Sequence, residues 1–276
     1  FSYPDSVLEK LHHATQLSAE ELLLFDKELG VCFAKMTLDF LDTNNLSKSQ
    51  ISAIASHGHT VYHQPHLGFT LQIGCGSTIA YHTGIDVVND FRSLDVIAGG
   101  QGAPLVPIGD FHLFGDKADA FLNLGGFSNI SFKKNGIIQA FDISPANLPS
   151  NLLTQTIGKT YDDGGELAKS GTMNEALLQQ LNTLPYYDKV APKSLGIEWL
   201  NEEYMPLLTT DYTLADILCT HTEHVAIQVS KILNEEQLTS VFITGGGAKN
   251  SFFLERLQVH YSGKCIIPVK QLIDFK

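Results

Sequence analysis

Two adjacent glycines and two asparagines in residues 122–144, LNLGGFSNISFKKNGIIQAFDIS, could bind a phosphate group. Gly125 and Gly126 follow a β-like run, and glycine lets backbone amides face an anion at close range. Asn123, Ser128 and Asn129 flank them with short polar side chains that could hydrogen-bond a phosphate or a metal-bound water. The stretch therefore predicts a phosphate-binding turn between two strands.

Asp142, at the end of the next β-like run, could supply the acid–base chemistry that such a turn calls for. In phosphoryl transfer the protein mostly positions groups and neutralises charge, but a side chain must orient and deprotonate the nucleophile. A carboxylate at a strand end suits that task. The alternative from spacing alone is that Asp142 caps a turn or helix at residues 144–147.

A second glycine turn lies in residues 241–257, VFITGGGAKNSFFLERL, where a strand leads into a helix. Gly245, Gly246 and Gly247, followed by Asn250, would place backbone amides and a positive helix end where a nucleotide can approach. The alternative is a tight turn that needs glycine only for its backbone angles. The order G-x-G-x-x-G and its following acid are missing, which disfavours a dehydrogenase.

Residues 87–107, VVNDFRSLDVIAGGQGAPLVP, place Asp90, Arg92 and Gln101 in a glycine-rich loop directly after a strand. Binding groups cluster on loops of this kind. Arg92 could hold a carboxylate through two parallel hydrogen bonds. The alternative is that an arginine–aspartate pair fixes an irregular loop.

Histidines are dense in residues 56–66, SHGHTVYHQPH, and His59 and His63 have the spacing of two metal ligands on one helical turn. No helix is plausible there, since Gly58 and the nearby proline favour extended or turn structure, and no H-E-x-x-H pattern follows. A zinc hydrolase is therefore disfavoured, and no metal-ligating residue is assigned. We expect a polar loop at His57 and Gly58 that binds a small substrate.

Composition and charge exclude several classes of partner. The 276 residues are 43% hydrophobic and carry a formal net charge of -12, so the chain can form a core and would repel nucleic acid or an anionic membrane. No apolar run approaches the roughly 20 residues that span a bilayer, and the first residues do not resemble a signal peptide. The four scattered cysteines indicate neither a zinc site nor a disulfide framework. We expect a cytoplasmic protein with small-molecule partners, and a homodimer is left open.

Local patterns predict an α/β fold. Ser18 followed by Glu21 forms a capping box before an apolar helical pattern, and the Asn-Gly pair at 135–136 supplies the positive-φ turn of a hairpin. Strands and helices alternate before the hairpin and βα units follow it, which indicates mixed sheets flanked by helices. We expect two domains, 1–115 and 116–276.

Eight stretches in a fixed order carry a resemblance to a known family. They are SHGHTVYH, TLQIG, NDFRSLDVIAGGQGAPLVP, LNLGGFSNIS, FDISPAN, YDDGGELAKSG, PKSLGIEWL and ITGGGAKN. In these the chain resembles the anhydro-N-acetylmuramic acid kinases along nearly its whole length. The third stretch is the most specific, and the triple glycine is the least.

The resemblance implies the superfamily of sugar kinases, actin and heat-shock chaperones, in which two domains with ribonuclease-H-like mixed sheets hold ATP between them. Family enzymes hydrolyse the 1,6-anhydro bond of anhydro-N-acetylmuramic acid and transfer the γ-phosphate of ATP to O6, a step in peptidoglycan recycling. ATP and the amino sugar are the implied partners. Mg²⁺ is expected too, because a metal normally neutralises charge between the β- and γ-phosphates.

The resemblance also assigns roles by position. Asp142 matches the catalytic base that activates the attacking water. The predicted ATP-binding residues are Asn123, Gly125, Gly126, Asn129, Gly245, Gly246, Gly247 and Asn250. The predicted substrate-binding residues are His57, Gly58, Asp90, Arg92 and Gln101.

The chain departs from the family pattern at several positions. Where the family has D-T-G-P-G-N, residues 142–147 read DISPAN; H-G-Q-T reads HGHT at 57–60, and G-D-P reads GCG at 74–76, without the acid. Members also begin with a glycine- and serine-rich hairpin around the ATP phosphates and end with a further stretch, neither of which is seen here. We therefore expect a portion of a longer enzyme. The alternative function is a non-catalytic nucleotide- or sugar-binding regulator on the same fold.

Overall fold

The computed structural model describes residues 1–208 and 211–275. The chain forms two compact units, Phe1–Leu105 and Val106–Lys276. The predicted domains, which divide the chain at a later residue, stay a prediction. Within the described residues, we find no helix with the length and apolar character needed to cross a membrane.

The first unit combines helices with two small sheets. Its elements are α1 (Asp5–His12), α2 (Ala19–Thr43), β1 (Ile54–Ser56), β2 (His59–Gln64), β3 (Phe69–Ile73), α3 (Gly76–Thr83), β4 (Val87–Asn89) and α4 (Ser93–Ile97). The predicted capping box of α2 is confirmed: Ser18 Oγ accepts from the Glu21 amide, and the Glu21 carboxylate accepts from the Ser18 amide at 2.8 Å. The sheets are a parallel pair, β1 with β4, and an antiparallel pair, β2 with β3.

The second unit is built on one five-stranded sheet. Its elements are α5 (Val106–Phe114), β5 (Ala120–Leu124), β6 (Phe127–Lys134), β7 (Ile137–Pro145), α6 (Asn147–Gln155), α7 (Glu166–Ser170), α8 (Glu175–Asn182), α9 (Ile197–Trp199), α10 (Met205–Leu208), α11 (Leu214–Glu235), β8 (Ser240–Thr244), α12 (Ser251–His260), β9 (Lys264–Ile266) and α13 (Lys270–Phe275). The strand order is β7-β6-β5-β8-β9, with β5, β6 and β7 antiparallel in succession and β8 and β9 parallel to β5. This mixed sheet flanked by helices confirms the predicted fold class.

Strand β5 lies at the centre of the sheet and is covered on both faces. Leu122 is fully buried in a cluster with Val225 and Val229 of α11. On the other face, Phe121 packs edge-on against Phe111 of α5, with ring centroids 5.0 Å apart. Burial on both faces explains why the strand reads as a nearly continuous apolar run.

The predicted hairpin joins β6 to β7. Asn135 and Gly136 have φ values of 53° and 79°, and Lys134 pairs with Ile137 across the turn. Two successive positive φ angles match the twist of the flanking strands, and asparagine and glycine adopt them at low cost. The hairpin prediction is confirmed, and its register sets the position of Asp142.

Helix α11 carries two buried histidines whose tautomers follow from their partners. His221 Nε2 lies 2.8 Å from the Ala146 carbonyl, which can only accept, so Nε2 carries the proton and Nδ1 accepts from the Tyr204 hydroxyl. His224 Nε2 contacts the Tyr187 hydroxyl at 2.7 Å. Burial lowers the pKa of His221 to about 4 and also lowers the pKa of His224. Both rings are therefore neutral at physiological pH.

We predict that the free energy of unfolding falls as the pH is lowered from about 6.5 toward 4. The unfolded chain binds protons at these histidines in that range, whereas the folded chain does not, so their contribution is complete above the unfolded pKa of about 6.5 and is lost below it. Urea unfolding at several pH values measures the slope. His221→Gln should make it shallower, and His13→Gln, at an exposed position, should not. An unchanged slope in His221→Gln would contradict the prediction.

Candidate active site

Four polar residues form a row across the sheet of the second unit. Asp142 of β7 pairs with Asn129 of β6. Asn129 pairs in turn with Asn123 of β5, and Asn123 with Thr244 of β8. Directly paired residues project from the same face, and neighbouring strands lie about 4.8 Å apart, so Asp142 is roughly 10 Å from Asn123. The candidate base and both candidate asparagines thus share one face.

The hydrophobic core determines which face carries this polar row. Residues next to the row along their strands belong to one buried cluster, including Leu122, Ile130, Phe141, Ile143 and Ile243. Successive side chains of a strand point to opposite faces, so burying these residues directs the polar row to the other side. A shift of one residue in any register would reverse the arrangement.

Both predicted glycine turns lie at one edge of the sheet, just beyond the polar row. Gly125 and Gly126 follow β5, Gly245 follows β8, and these two strands are parallel neighbours. A Cβ on Gly245 would lie 2.6 Å from Asn123 Oδ1, and one on Gly247 would lie 2.7 Å from the Leu124 Cβ. The triple glycine therefore packs directly against the end of β5 that leads into the first glycine turn.

The glycines differ in whether the fold itself requires them. Gly245 has φ 80° and ψ 170°, a conformation almost restricted to glycine. Gly125 and Gly126 have no positive φ, and a Cβ on either would approach no atom closer than 3.4 Å. The need for special backbone angles therefore explains the glycine at 245 but not those at 125 and 126. Because Gly125 and Gly126 have no side chains, their backbone is open to an approaching group.

Asp142 is held by a distant segment and caps no local turn. Its Oδ2 accepts from the Leu195 amide at 2.9 Å, and its own amide donates to the Lys193 carbonyl at 3.1 Å. Helix α6 follows residue Ala146 without any side-chain cap. The alternative that Asp142 caps the turn at 144–147 is therefore wrong.

Burial changes the acidity of this carboxyl group. Asp142 is partly buried, and desolvation raises its pKa above the usual value for aspartate, while the hydrogen bond from Leu195 opposes that rise. A raised pKa makes the carboxylate a stronger base than an exposed aspartate. The environment therefore suits proton abstraction.

The loop after Asp142, which departs from the family pattern, is fixed by its own hydrogen bonds. The Ser128 hydroxyl donates to the Ser144 carbonyl at 3.0 Å and accepts from the Ser144 amide at 3.1 Å. Ser128 is fully buried, so the idea that it could contact a phosphate is wrong. The Ala146 amide donates to the Gly126 carbonyl at 2.9 Å, which connects this loop to the first glycine turn.

A cavity of about 370 Å³ opens beside the triple glycine. Its walls include Gly246, Gly247 and Asn250 from that turn, and Asp162 and Asp163 from the segment before α7. Asn250 also has a structural role, because its Oδ1 accepts from the Phe253 amide at 2.9 Å and caps α12. The cavity is large enough for part of a small ligand, and its lining offers both polar and apolar surface.

The predicted substrate residues of the first unit meet at the ends of two parallel strands. His57 follows β1 and Asp90 follows β4, and Ser56 is paired with Asn89 immediately before them. Arg92 Nε donates to His57 Nε2 at 2.8 Å. The structure thus brings the His57 loop and the Arg92 loop together.

Arg92 is engaged with the protein on two sides. Besides His57, it donates through Nη1 to the Gly102 carbonyl at 2.6 Å. It pairs with no carboxylate in the part of the chain that the structure describes. Arg92 and Asp95 nevertheless both fix this loop, because Arg92 donates to the Gly102 carbonyl and Asp95 accepts from the Gly102 amide. Because Nε already donates to His57, Arg92 cannot hold a carboxylate side-on through Nε and a terminal nitrogen.

The other predicted residues of this unit differ in their surroundings. Asp90 is exposed and accepts from the Ser93 amide at 3.3 Å, and Gln101 is also exposed. Gly58 has φ 74°, and a Cβ there would lie 2.5 Å from the Ile73 carbonyl oxygen, so the fold requires this glycine. Binding roles for these residues stay a prediction.

Comparison with known proteins identifies the family. The family model for anhydro-N-acetylmuramic acid kinase matches residues 1–272. The chain belongs to the anhydro-N-acetylmuramic acid kinase family. The enzyme of that name from Hahella chejuensis is 36% identical over 275 residues, covering 95% of this chain and 74% of the relative. The one from Shewanella pealeana is 40% identical over 249 residues, covering 84% of this chain and 66% of the relative.

These matches confirm the predicted family and the predicted enzyme class, a kinase. A solved structure, component A of the (R)-2-hydroxyglutaryl-CoA dehydratase of Acidaminococcus fermentans, is 14% identical with a TM-score of 0.44, covering 85% of this chain and 76% of that one. That similarity is too distant to support any assignment in this kinase.

Sequence reasoning missed several residues that shape the site of this kinase. Asn147 Nδ2 donates to the Leu124 carbonyl at 2.8 Å and lies beside Gly247. The Tyr186 hydroxyl donates to the Asp142 carbonyl at 2.7 Å. The asparagine could have been noticed as the last residue of FDISPAN. The tyrosine is far from Asp142 in sequence, and no local pattern indicates the contact.

We predict that Gly245→Ala weakens ATP binding by about tenfold or more, equivalent to ~1.4 kcal/mol. The methyl group would collide with Asn123 Oδ1 and Leu124 O, 2.6 and 2.7 Å away, and would displace both turns. Gly136→Ala is the matched control, since its φ of 79° is nearly the same but a Cβ there meets no atom within 4 Å. Calorimetric titration with ATP should show a loss only in Gly245→Ala, and equal affinities would contradict the assignment.

Proposed function

We propose that this chain acts as an ATP-dependent kinase on anhydro-N-acetylmuramic acid, in the recycling of cell-wall sugar. The main support is the polar row that ends in Asp142, because it lies on one face of the sheet beside two glycine turns at the same sheet edge. Curated relatives of this name cover most of the chain. A cytoplasmic location, where ATP is available, and a homodimer stay parts of the prediction.

In the proposed reaction, Asp142 removes a proton from water as that water attacks the anomeric carbon. The bond between C1 and O6 breaks, O6 takes the γ-phosphoryl group, and ADP leaves. The raised pKa of Asp142 suits the base, and the proton ends on its carboxylate. Stabilisation of the transferring phosphoryl group would come from backbone amides at Gly125 and Gly126.

We assign the ATP phosphates to the turn at Gly125 and Gly126 and the adenosine side to the cavity beside Gly246 and Gly247. The amide nitrogens of the first turn and the end of the triple glycine suit anionic and polar ligand groups. The sugar would be recognised by residues of the first unit, foremost the exposed Asp90 and Gln101, since both ring nitrogens of His57 are bonded within the protein.

Mg²⁺ fits this site as an ion that arrives with the nucleotide. Among the residues that the structure describes, no three His, Cys, Asp or Glu side chains converge on a metal position. Mg²⁺ typically keeps several waters and binds substrate phosphates with few protein ligands. Asn129 and Asn123 would contact its water ligands, and the ion would neutralise charge between the β- and γ-phosphates.

We predict that Asp142→Asn lowers sugar-dependent ADP release by about 10²–10⁴-fold, the usual contribution of a general base. Asparagine keeps the size of the side chain but cannot take the proton. Affinity for ATP should be nearly unchanged, because no nucleotide contact is assigned to this residue. A coupled ADP assay and ATP titration measure the two quantities.

Asp116→Asn is the control for this experiment, since Asp116 is an exposed aspartate whose side chain is 74% accessible. It should release ADP at the normal rate. Undiminished turnover in Asp142→Asn would remove that residue from its role. ATP binding without any sugar-dependent ADP release by the unaltered protein would instead favour the non-catalytic regulator.

A further inference from the structure

Strand β7 is an edge strand of the sheet, and residues 186–195 lie along its outer side. The Asp142 amide donates to the Lys193 carbonyl, and the Asp142 carbonyl accepts from the Tyr186 hydroxyl. An uncovered edge would expose these backbone groups to water or to another strand. Residues 186–195 therefore provide hydrogen-bond partners for the outward-facing backbone groups of β7 at Asp142, the candidate base.

Every polar group of residue 142 except one carboxylate oxygen has a partner in this segment. The distances are 3.1 Å from the amide to Lys193 O, 2.7 Å from the carbonyl to the Tyr186 hydroxyl, and 2.9 Å from Oδ2 to the Leu195 amide. Oδ1 receives no hydrogen bond from any residue that the structure describes. The segment thus fixes backbone and side chain together and leaves a single oxygen available.

We infer that the Leu195 amide and the Tyr186 hydroxyl are positioning groups for catalysis, which anchor Asp142 through Oδ2 and its carbonyl and present Oδ1 as the proton acceptor. This inference rests on the proposed function. A carboxylate with neither oxygen anchored would rotate about its side-chain bonds and spend less time aligned with the attacking water. The proton from water goes to Oδ1, because Oδ2 already accepts from Leu195.

Tyr186 is itself held rigidly. Its ring is buried between Tyr187, at a centroid distance of 5.7 Å, and Trp199, at 5.3 Å. The Lys193 ammonium lies 4.8 Å from the ring centre. Burial, and secondarily the negative charge of Asp142, raise the pKa of the Tyr186 phenol far above its usual value, so the hydroxyl stays protonated and donates at every working pH.

Among the described residues, no ionisable group near Asp142 forms an ion pair with its carboxylate. In the covering segment these groups are Tyr186, Lys189 and Lys193. Both ammonium groups lie over the tyrosine ring, and that of Lys193 also faces the carbonyls of residues 186 and 187. The paired strand β6 presents the uncharged Asn129. On α11, His221 and His224 are neutral and bonded elsewhere. The Leu195 amide is therefore the specific contact that stabilises the charged form.

The first experiment compares Leu195→Pro with Leu195→Ala in the full protein. Proline lacks the amide hydrogen, whereas alanine keeps it and loses only the side chain. We expect Leu195→Pro to raise the pKa of Asp142, because the carboxylate loses its stabilising donor, and to shift the acid limb of kcat/KM to higher pH. Its kcat should fall roughly tenfold to 100-fold, with KM for ATP unchanged.

Carbon-13 NMR of aspartate carboxyls, with the Asp142 signal assigned from Asp142→Asn, gives the pKa without any activity. If that pKa is equal in Leu195→Pro and Leu195→Ala, the positioning role of the amide is overturned. A higher pKa in Leu195→Pro supports the role even in a protein without kinase activity. Failure of the inference and failure of the proposed function are therefore distinguishable.

The second experiment compares Tyr186→Phe with Tyr187→Phe and covers the case in which Leu195→Pro does not fold. Each variant loses one buried hydroxyl hydrogen bond, but only Tyr186 contacts Asp142, since the Tyr187 hydroxyl bonds His224. Both should lower the melting temperature. Only Tyr186→Phe should also lower kcat, by about tenfold, with KM for ATP unchanged. Equal kcat values in the two variants, with equal loss of stability, would show a merely structural contact and overturn the inference.

Discussion

The registers of the five-stranded sheet are the constraint on which the candidate site depends. They place Asp142, Asn129 and Asn123 side by side on three strands that are antiparallel in succession. The same registers place the apolar neighbours of these residues in the core. The burial of Leu122 or Phe141 and the position of the polar row on the opposite face therefore have one cause. Stability and chemistry therefore favour the same pairing.

Parallel pairing of β5 with β8 adds the second requirement. Because the two strands end at the same edge, the turn at Gly125 and Gly126 and the triple glycine meet there. Only the second turn contains a backbone conformation that glycine alone adopts, at Gly245. The open backbone of the first turn is unexplained by folding and is consistent with close approach of a phosphate.

The sequence predicted best those structural features that depend on only a few neighbouring residues. The Ser18–Glu21 capping box and the hairpin at 135–136 both follow from local patterns, and the structure contains each of them. Motif order along the chain was enough to predict the family and the fold class. Side-chain roles could not be read from that order alone, since Asn250 is also a helix cap.

Contacts between distant segments could not be predicted from local patterns. Spacing around Asp142 suggested a local cap as its competing role, yet its partner is Leu195, 53 residues further along the chain. Ser128 was considered as a phosphate ligand because of its type, but the register buries it against Ser144. In both cases the contact depends on which segments pair alongside the strand and in which register. No single stretch of sequence contains that information.

The altered loop after Asp142 is restrained by residues that differ from the family pattern. Where the family pattern has two glycines, this chain has Ser144 and Ala146. Ser144 exchanges hydrogen bonds with Ser128 on the neighbouring strand, and the Ala146 amide donates to Gly126. These bonds fix the path of the chain between the base and the first glycine turn, and His221 adds a further contact to the Ala146 carbonyl from α11. A loop that is restrained at each of these points does not need the family's glycines to bring the chain to the edge where the glycine turns lie, and so the departure in sequence is compatible with the proposed site.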